Sequence, residues 1–189
     1  MRPSWRFPKN CSGRLLVISP EEFGKLFETF DREAFRLETL DYYDAVGTRI
    51  GLPAFLAGED EPEQFKNSPW VTTVSNAVQA GKRMYRVHVV TTPLTDYLRF
   101  EFAWGYHRNA AAGEEFFILD LAEHDVPGLP DHDFWLFDER KVVRMDYGSQ
   151  GAYAGADILP ESQTSKYMQY RDLALKHAEP LTTFWERHS

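Results

Sequence analysis

The sequence predicts a single α/β domain with a central mixed sheet flanked by helices. Two β-rich runs, over residues 84–90 and 115–119, are separated by a stretch that can be read as a helix. A strand, a helix and a strand in this order form a crossover, which makes the two strands parallel. Further strands are predicted over 134–137, 141–147 and about 152–158, the first two joined by a polar turn at 138–140.

The length of 189 residues fits one domain of ordinary size. Hydrophobic residues make up 43% and charged residues 26% of the chain, a composition that excludes disordered and low-complexity classes. We expect an irregular N-terminal arm over residues 1–18, which ends in a short strand near 15–18. The single domain then covers residues 19–189.

Three helices have recognisable start signals. Ser19 and Ser68 each precede a proline, which combines a capping side chain with the residue preferred at the first helical position. Apolar residues then recur at helical spacing in both segments, and the second helix is expected to end at Gly81. A third helix follows Pro160, and Pro180 interrupts it.

Three other segments are less regular. Residues 36–40 alternate as in a strand, and 47–67, with prolines and acidic residues, are predicted to form a loop or short helix. Residues 94–109 fit both the strand and the helix template. We choose a helix, because sixteen residues exceed the length of an ordinary strand.

Charge and cysteine content restrict the classes of function. The net charge of −8 disfavours broad binding to duplex DNA or to anionic membranes, although RNA is left open. The stretch 81–108 is locally basic and is expected to be able to receive an anionic group. No apolar run is long enough to cross a bilayer, and the single cysteine, Cys11, excludes an intrachain disulfide. We expect a complete, soluble, cytoplasmic protein.

Common catalytic motifs are missing from the sequence. We find no GxxxxGK[ST], GxGxxG, GxSxG, HExxH or CxxC pattern, and no cluster of cysteine and histidine that would hold structural zinc. The prediction is therefore that the protein uses neither a cofactor nor a metal.

The densest group of polar residues is Asp131-His132-Asp133, followed by Asp138 after an aromatic strand. Alternation would send Asp131 and Asp133 to one side and His132 to the other. A divalent metal site is conceivable, but adjacent residues rarely converge on one ion. A strand-entry loop whose carboxylates cap backbone amides is the favoured interpretation.

Arg86 and His88 lie on the same face of the central strand by alternation. An arginine in such a strand is costly to bury without a partner, and the candidates are Glu101 and Asp120. An internal ion pair and a ligand contact are equally compatible with this pattern. His88 could also act as a general base, but no nucleophile is marked beside it.

The predicted helix over 94–109 carries Arg99, Glu101 and Tyr106. Glu101, Gly105 and Arg108 would line one face, while Arg99 and Tyr106 would line another. Surface charge is the favoured interpretation, with a ligand contact as the alternative. The tryptophans at 70, 104, 135 and 185 are likewise assigned to the core rather than to the wall of a pocket for a planar ligand.

Six segments resemble the actinobacterial domain-of-unknown-function family 6879 over about residues 20–185. They are FRLETL (35–40), RVHVV (86–90), PLTDYLRFE (93–101), AGE (112–114), PDHDFWLFD (130–138) and YRDLAL (170–175). The resemblance implies a single-domain protein encoded near helix-turn-helix regulators. It therefore implies a regulatory or accessory role, without a defined activity.

A more distant likeness is to one half of a phospholipase D-type domain. In that family a strand carries His-x-Lys-x4-Asp, and the histidine is the nucleophile. Counted back from Asp138, the lysine position holds Asp133 and the histidine position holds Asp131. The catalytic pair is missing, so the likeness implies a relative that binds without cleaving.

These observations lead to three functional predictions. The first is a binding or sensing module whose cleft holds a small polar or anionic ligand, or a regulator protein. The predicted site residues are Arg86, His88, Arg99, Glu101, Tyr106, Asp131, Asp133 and Asp138. The alternative is a small transferase or cyclising enzyme that uses an activated substrate such as an aminoacyl-tRNA, with Glu101, His88 or Asp133 as acid–base groups. A purely structural partner of a regulator is a third reading.

Overall fold

A computed structural model describes residues 16–188 of the chain. Within that range an eight-stranded sheet has the order β1-β7-β6-β5-β2-β3-β4-β8. The strands are β1 (Leu16–Val17), β2 (Glu33–Glu38), β3 (Arg83–Val90), β4 (Glu115–Asp120), β5 (Phe134–Phe137), β6 (Lys141–Tyr147), β7 (Tyr153–Ile158) and β8 (Glu179–Pro180). The pairs β2–β3 and β3–β4 are parallel and the other pairs are antiparallel, which confirms the predicted mixed sheet.

Helices surround this sheet. They are α1 (Pro20–Thr29), α2 (Val46–Leu56), α3 (Glu63–Lys66), α4 (Pro69–Gln79), α5 (Asp96–Phe100), α6 (His107–Ala111), α7 (Thr164–His177) and α8 (Leu181–His188). A π-helical segment, Glu101–Tyr106, joins α5 to α6, and a short 3-10 turn, Glu161–Gln163, precedes α7. None of these helices is long and apolar enough to cross a bilayer.

The predicted start signals are confirmed. Ser19 forms a full capping box with Glu22, and the Ser68 hydroxyl accepts from the amide of Val71. The stretch 94–109 is helical, as expected for the crossover between β3 and β4. Its middle turn is wider than an α-helix, however, because it belongs to the π-helical segment.

Two boundaries differ from the prediction. The strand expected over 36–40 is β2, which ends at Glu38 because the amide of Thr39 donates to the Asp133 carboxylate instead of to a neighbouring strand. The segment 47–67 contains the eleven-residue helix α2. Its Gly51 packs against Phe100 so closely that a Cβ would lie 2.8 Å from the ring, so this glycine permits a contact that composition does not reveal.

Most of the predicted arm, residues 1–15, lies outside the described residues. The end of that arm, Leu16–Val17, forms the edge strand β1 and pairs with β7.

The two faces of the sheet differ in polarity. One face carries Phe35, Leu37, Tyr85 and Val87, which pack under α7 in an apolar cluster. The opposite face carries Arg36 and Glu38 on β2 and Arg86 and His88 on β3. Two apolar clusters flank these polar residues on that face, one beneath α1 and α4 and the other beneath α5 and α8.

The turn after β5 is held by Asp138, a predicted site residue. Its carboxylate accepts hydrogen bonds from the amides of Asp31, Arg32 and Glu33 at 2.8, 2.7 and 3.1 Å. Burial alone would raise the pKa of Asp138, but these backbone donors outweigh it and lower the pKa below the ordinary value. Asp138 therefore joins the start of β2 to the β5–β6 turn.

We expect Asp138→Asn to destabilise the protein by about 1–2 kcal/mol at pH 7, because the charge-assisted bonds to the three amides are weakened. Asparagine tolerates the positive φ of 52° at this position, so backbone strain does not contribute. The pKa of Asp138 is lowered on folding, so its contribution is lost as the pH falls through the folded-state pKa. Urea unfolding of the wild type and the variant should give converging stabilities between pH 5 and pH 2. A difference that is constant over this range would contradict the assignment.

Candidate ligand-binding site

A cavity of about 530 Å³ opens on the polar face of the sheet. This volume lies within the range of about 300–1,000 Å³ that is typical of small-molecule sites. Its wall is mainly aromatic, with contributions from Phe23, Phe27, Tyr43, Phe65, Trp70, Tyr97, Phe100, Trp104, Trp135, Tyr147 and Tyr153. Polar groups from β2, β3 and the π-helical segment complete it.

The register of two parallel strands, β2 and β3, determines which side chains form the floor of the cavity. Arg36 is paired with Arg86, and Glu38 is paired with His88. Two neighbouring guanidiniums on one sheet face repel each other, so this register requires carboxylates between them.

Arg86 is buried between two carboxylates. Its Nε and Nη2 donate to Glu114, the Nε bond at 2.9 Å, and its Nη1 donates to Glu38 at 3.1 Å. Burial alone would lower the pKa of Arg86, but Glu114 and Glu38 outweigh it and raise the pKa well above its ordinary value. The guanidinium therefore stays charged.

The predicted partners of Arg86, Glu101 and Asp120, are wrong. Asp120 accepts from Thr92, through the backbone amide at 3.1 Å and the hydroxyl at 2.6 Å. Glu114 is the partner of Arg86 instead. Arg86 is paired with Phe116 of β4, and the side chain two residues before Phe116 points to the same face of the sheet.

Arg36 extends the same network. Its Nη2 donates to Asp133 at 3.3 Å and to the Tyr147 hydroxyl at 3.0 Å, and it forms an ion pair with Glu38 at 3.0 Å. Asp133 also accepts from the amide and hydroxyl of Thr39 and from the Tyr43 hydroxyl, at 2.6–2.9 Å. Asp133 thus fixes the chain after β2, as the capping interpretation predicts.

His88 and Tyr106 support the floor from behind. The His88 Nε2 donates to the Leu40 carbonyl at 2.9 Å, and its Nδ1 lies 2.7 Å from the Tyr106 hydroxyl, which donates to Glu38. Burial would raise the pKa of Glu38, but Arg36 and Arg86 outweigh it and hold the pKa well below the ordinary value. Glu38 is thus an ionised carboxylate at neutral pH.

Glu101 is the exception among the acids of the cavity. It lies on the wall formed by the π-helical segment and has no hydrogen-bond or ion-pair partner among residues 16–188. Burial raises its pKa to about 7, and the charge of Glu38 acts in the same direction. Gly105 leaves room for this carboxyl group, since a Cβ there would lie 2.7 Å from its Oε1.

Three more polar atoms of lining residues are buried without a hydrogen-bond partner in the described chain. They are the Nε atoms of Arg36 and Arg108 and the Oδ1 of Asn109. Unpaired buried groups of this kind are costly. These three atoms are enclosed by the chain itself, so Glu101 is the acid without a partner in the described chain that borders the open cavity.

The predicted site residues fall into three groups in the structure. Arg86 and Glu101 line the cavity, as does Arg108 on the same face as Glu101. His88, Tyr106 and Asp133 lie behind it and position its lining groups. Arg99, Asp131 and Asp138 lie elsewhere: Arg99 donates to the His188 carbonyl, the Asp131 side chain is exposed beside His132, and Asp138 caps backbone amides. Ligand binding by any of them stays a prediction.

The basic stretch over 81–108 does not form a cationic cleft. Its positive groups are already engaged: Lys82 by the Phe30 carbonyl, Arg83 by Glu115, Arg86 by Glu38 and Glu114, Arg99 by the His188 carbonyl, and Arg108 by Glu61. Carboxylates thus balance the charges of Arg83, Arg86 and Arg108, whereas Lys82 and Arg99 are hydrogen-bonded to neutral carbonyls and keep their charge.

Sequence reasoning missed Arg36, Glu38 and the pocket role of the tryptophans. Trp70, Trp104 and Trp135 pack in or against the apolar clusters, as periodicity predicts, and they also line the cavity. The alternation over 36–40 was the available signal for Arg36 and Glu38, because it places both on one strand face.

A possible metal-binding group lies away from the cavity. Asp120, Glu123 and His188 offer ligand atoms within 4.8 Å of one another. Asp120 is engaged by Thr92 and by the Ala122 amide, and Glu123 pairs with Arg187, so two of these carboxylates already have partners. Within residues 16–188 no other group of this kind is present.

The solved structures that resemble this chain include two of low identity. The chromatin protein TrmBL2, from an archaeon, is 12% identical at a TM-score of 0.49, and the alignment covers 94% of this chain and 57% of that one. Phosphatidylserine synthase from Haemophilus influenzae Rd KW20 is 9% identical at a TM-score of 0.43, covering 84% of this chain and 36% of that one. At these TM-scores neither likeness carries an argument about function. This chain thus spans little more than half of the first protein and about a third of the second.

No match to this chain was found among curated proteins. A family model does match, over residues 21–186, which includes every lining residue of the cavity except Pro20. The chain therefore belongs to the DUF6879 family, which is described as a domain of unknown function.

Proposed function

We propose that this domain is a ligand-binding module and that its cavity takes a planar small molecule. The observation that carries the proposal is an aromatic-walled cavity that is bordered by the Glu101 carboxyl group, which has no partner in the described chain, and whose floor is held by an ion network. An aromatic wall with a few well-placed polar groups is typical of sites that bind planar ligands.

The rigid floor supports binding without large rearrangement. Arg36, Arg86, Glu38 and Asp133 are each held by more than one partner, so their positions do not depend on a ligand. A preorganised site loses less conformational entropy when it binds. A regulatory or accessory role, in which a partner regulator reads ligand occupancy, rests on the family resemblance and is part of the proposal.

An enzymatic role is the second candidate, and Glu101 is the observation that favours it. A carboxyl group with a pKa of about 7 can donate and accept a proton near neutral pH, as a general acid–base catalyst must. His88 and Asp133, the other acid–base candidates, do not line the cavity. Among residues 16–188 no serine or cysteine lines the cavity, so a transferase or cyclising reaction that uses the described lining would proceed without a covalent intermediate on either residue type.

Blocking the cavity tests the proposed binding. Gly47 lines it, and a Cβ there would lie 4.0 Å from the nearest neighbour, Phe65, so Gly47→Phe adds a ring without a backbone clash. Gly24→Phe is the matched control, because Gly24 is exposed on α1 with nothing within 4 Å. In a thermal-shift screen of planar heterocycles, nucleosides and indoles, we expect compounds that stabilise the wild type and Gly24→Phe. We expect about tenfold weaker binding to Gly47→Phe.

Hits that bind Gly47→Phe as tightly as the wild type would contradict binding in this cavity. A screen that stabilises neither the wild type nor Gly24→Phe would also count against the proposed function.

The unpaired Glu101 should cost stability. Its folded-state pKa lies above the ordinary value of 4.5, so the stability associated with the protonated form is lost as the pH rises through about 7. We expect Glu101→Gln to be more stable than the wild type at pH 8, by on the order of 2 kcal/mol, and nearly equal to it at pH 4. Urea unfolding at both pH values measures this, with Glu59→Gln as an exposed control. An equal effect of Glu101→Gln at the two pH values would show that burial does not perturb this carboxyl group.

A further inference from the structure

The charged groups around the cavity disfavour an anionic ligand. The carboxyls are those of Glu38, Asp44, Glu61, Glu101, Glu114 and Asp133, against the guanidiniums of Arg36, Arg49, Arg86 and Arg108. Each of these guanidiniums pairs with at least one carboxylate of the set, and among residues 16–188 only the Glu101 carboxyl has no such partner. An anionic group would add negative charge beside Glu101 and Glu38, which is unfavourable at short range.

The tryptophans of the cavity wall differ in whether an arginine of the described chain lies over the ring. Trp70 lies under Arg86, with the guanidinium carbon 6.0 Å from the ring centroid, and Trp135 lies under both Arg36 and Arg86 at 5.5 and 5.8 Å. Within residues 16–188 no lysine or arginine lies over Trp104, although its indole also lines the cavity. Phe55 and Phe100 pack against Trp104 in T-shaped arrangements, with ring centroids 5.5 and 5.6 Å away, and the part of the indole that lines the cavity has no cationic partner in the described chain.

The carboxyl of Glu101 and the indole of Trp104 belong to residues about one helical turn apart. Glu101 and Trp104 are separated by three residues of the π-helical segment, and Gly105 beside them carries no side chain. Building on the proposed ligand-binding function, we propose that the ligand carries a cationic group, a protonated amine or amidine, which pairs with the Glu101 carboxylate and packs against Trp104. Aromatic and carboxylate groups together are the usual recognition elements for such cations.

The protonation of Glu101 makes this recognition depend on pH. The groups that face Glu101 are Arg36 and Glu38 on β2, Arg86 on β3, Tyr97 on α5 and Arg108 on α6. The pKa values of Glu38, Arg36, Arg86 and Tyr97 are displaced away from the neutral range. Cation affinity should therefore increase between pH 6 and pH 8 as Glu101 ionises, and Glu101→Gln should remove that part of the pH dependence.

Three probes with the same ring and different charge test the inference: tryptamine, tryptophol and indole-3-acetate. A smaller set, benzylamine, benzyl alcohol and benzoate, covers a tighter fit. By isothermal titration calorimetry at pH 8 we expect the amine of a set to bind about tenfold more tightly than the alcohol, and the carboxylate to bind most weakly. Glu101→Gln should reduce the preference for the amine to below about threefold and leave the affinity for the alcohol unchanged. Glu59→Gln should behave as the wild type.

The outcomes separate the two proposals. If the alcohol binds as tightly as the amine, the cationic group is overturned while the proposed binding function stands. If the amine preference survives in Glu101→Gln, the assignment to Glu101 is wrong. If none of the six probes binds at about 10 mM, a concentration that would reveal even millimolar affinity, both proposals fail.

Discussion

The pairing of Arg86 with Glu38 and Glu114 is the interaction on which the rest of the structure depends. Arg86 lies in the middle of the sheet on a strand with parallel neighbours on both sides, where an isolated charge would be prohibitively costly. Its two carboxylates come from the end of β2 and from the turn before β4, so the ion network joins three segments that are distant in sequence. Removing both carboxylates would leave the buried Arg86 guanidinium without a partner, and breaking a buried ion pair in this way typically costs about 3–5 kcal/mol.

This network explains how a sheet face can be polar within a well-packed domain. Apolar clusters beneath α1 and α4 and beneath α5 and α8 flank the charged residues, and the cavity lies between them. Arg36 and Arg86 also use Trp70 and Trp135 as aromatic surfaces. The charged groups of the cavity floor pair with one another, and Glu101 is the acid that takes no part in these ion pairs.

The elements with strong local signals could be predicted from the sequence, and the partners of the site residues could not. Ser19 and Ser68 start helices through hydrogen bonds within four residues, so their effect is visible in any short window. The partners of Arg86 depend on strand register and order, which are long-range properties, and so Glu114 was not anticipated. Periodicity identifies a buried face but does not show which part of that face borders a cavity. The core contacts of Trp104 were therefore predicted, and its place in the cavity wall was not. The capping role of Asp133 was predictable, because short polar loops before strands commonly bind backbone amides.

The surroundings of Glu38 and Glu101 shift the pKa values of these two acids in opposite directions. Both are enclosed, but two guanidiniums hold Glu38 ionised, whereas Glu101 has no partner in the described chain. A carbon-13 NMR titration of the side-chain carboxyls in the ligand-free protein measures the pKa values of both acids directly. The Glu38→Gln and Glu101→Gln variants assign the two signals. We expect Glu101 to titrate with a midpoint near pH 7 while Glu38 remains ionised down to the acid limit of the folded state. Midpoints for both residues close to the ordinary glutamate value of 4.5 would contradict the claim.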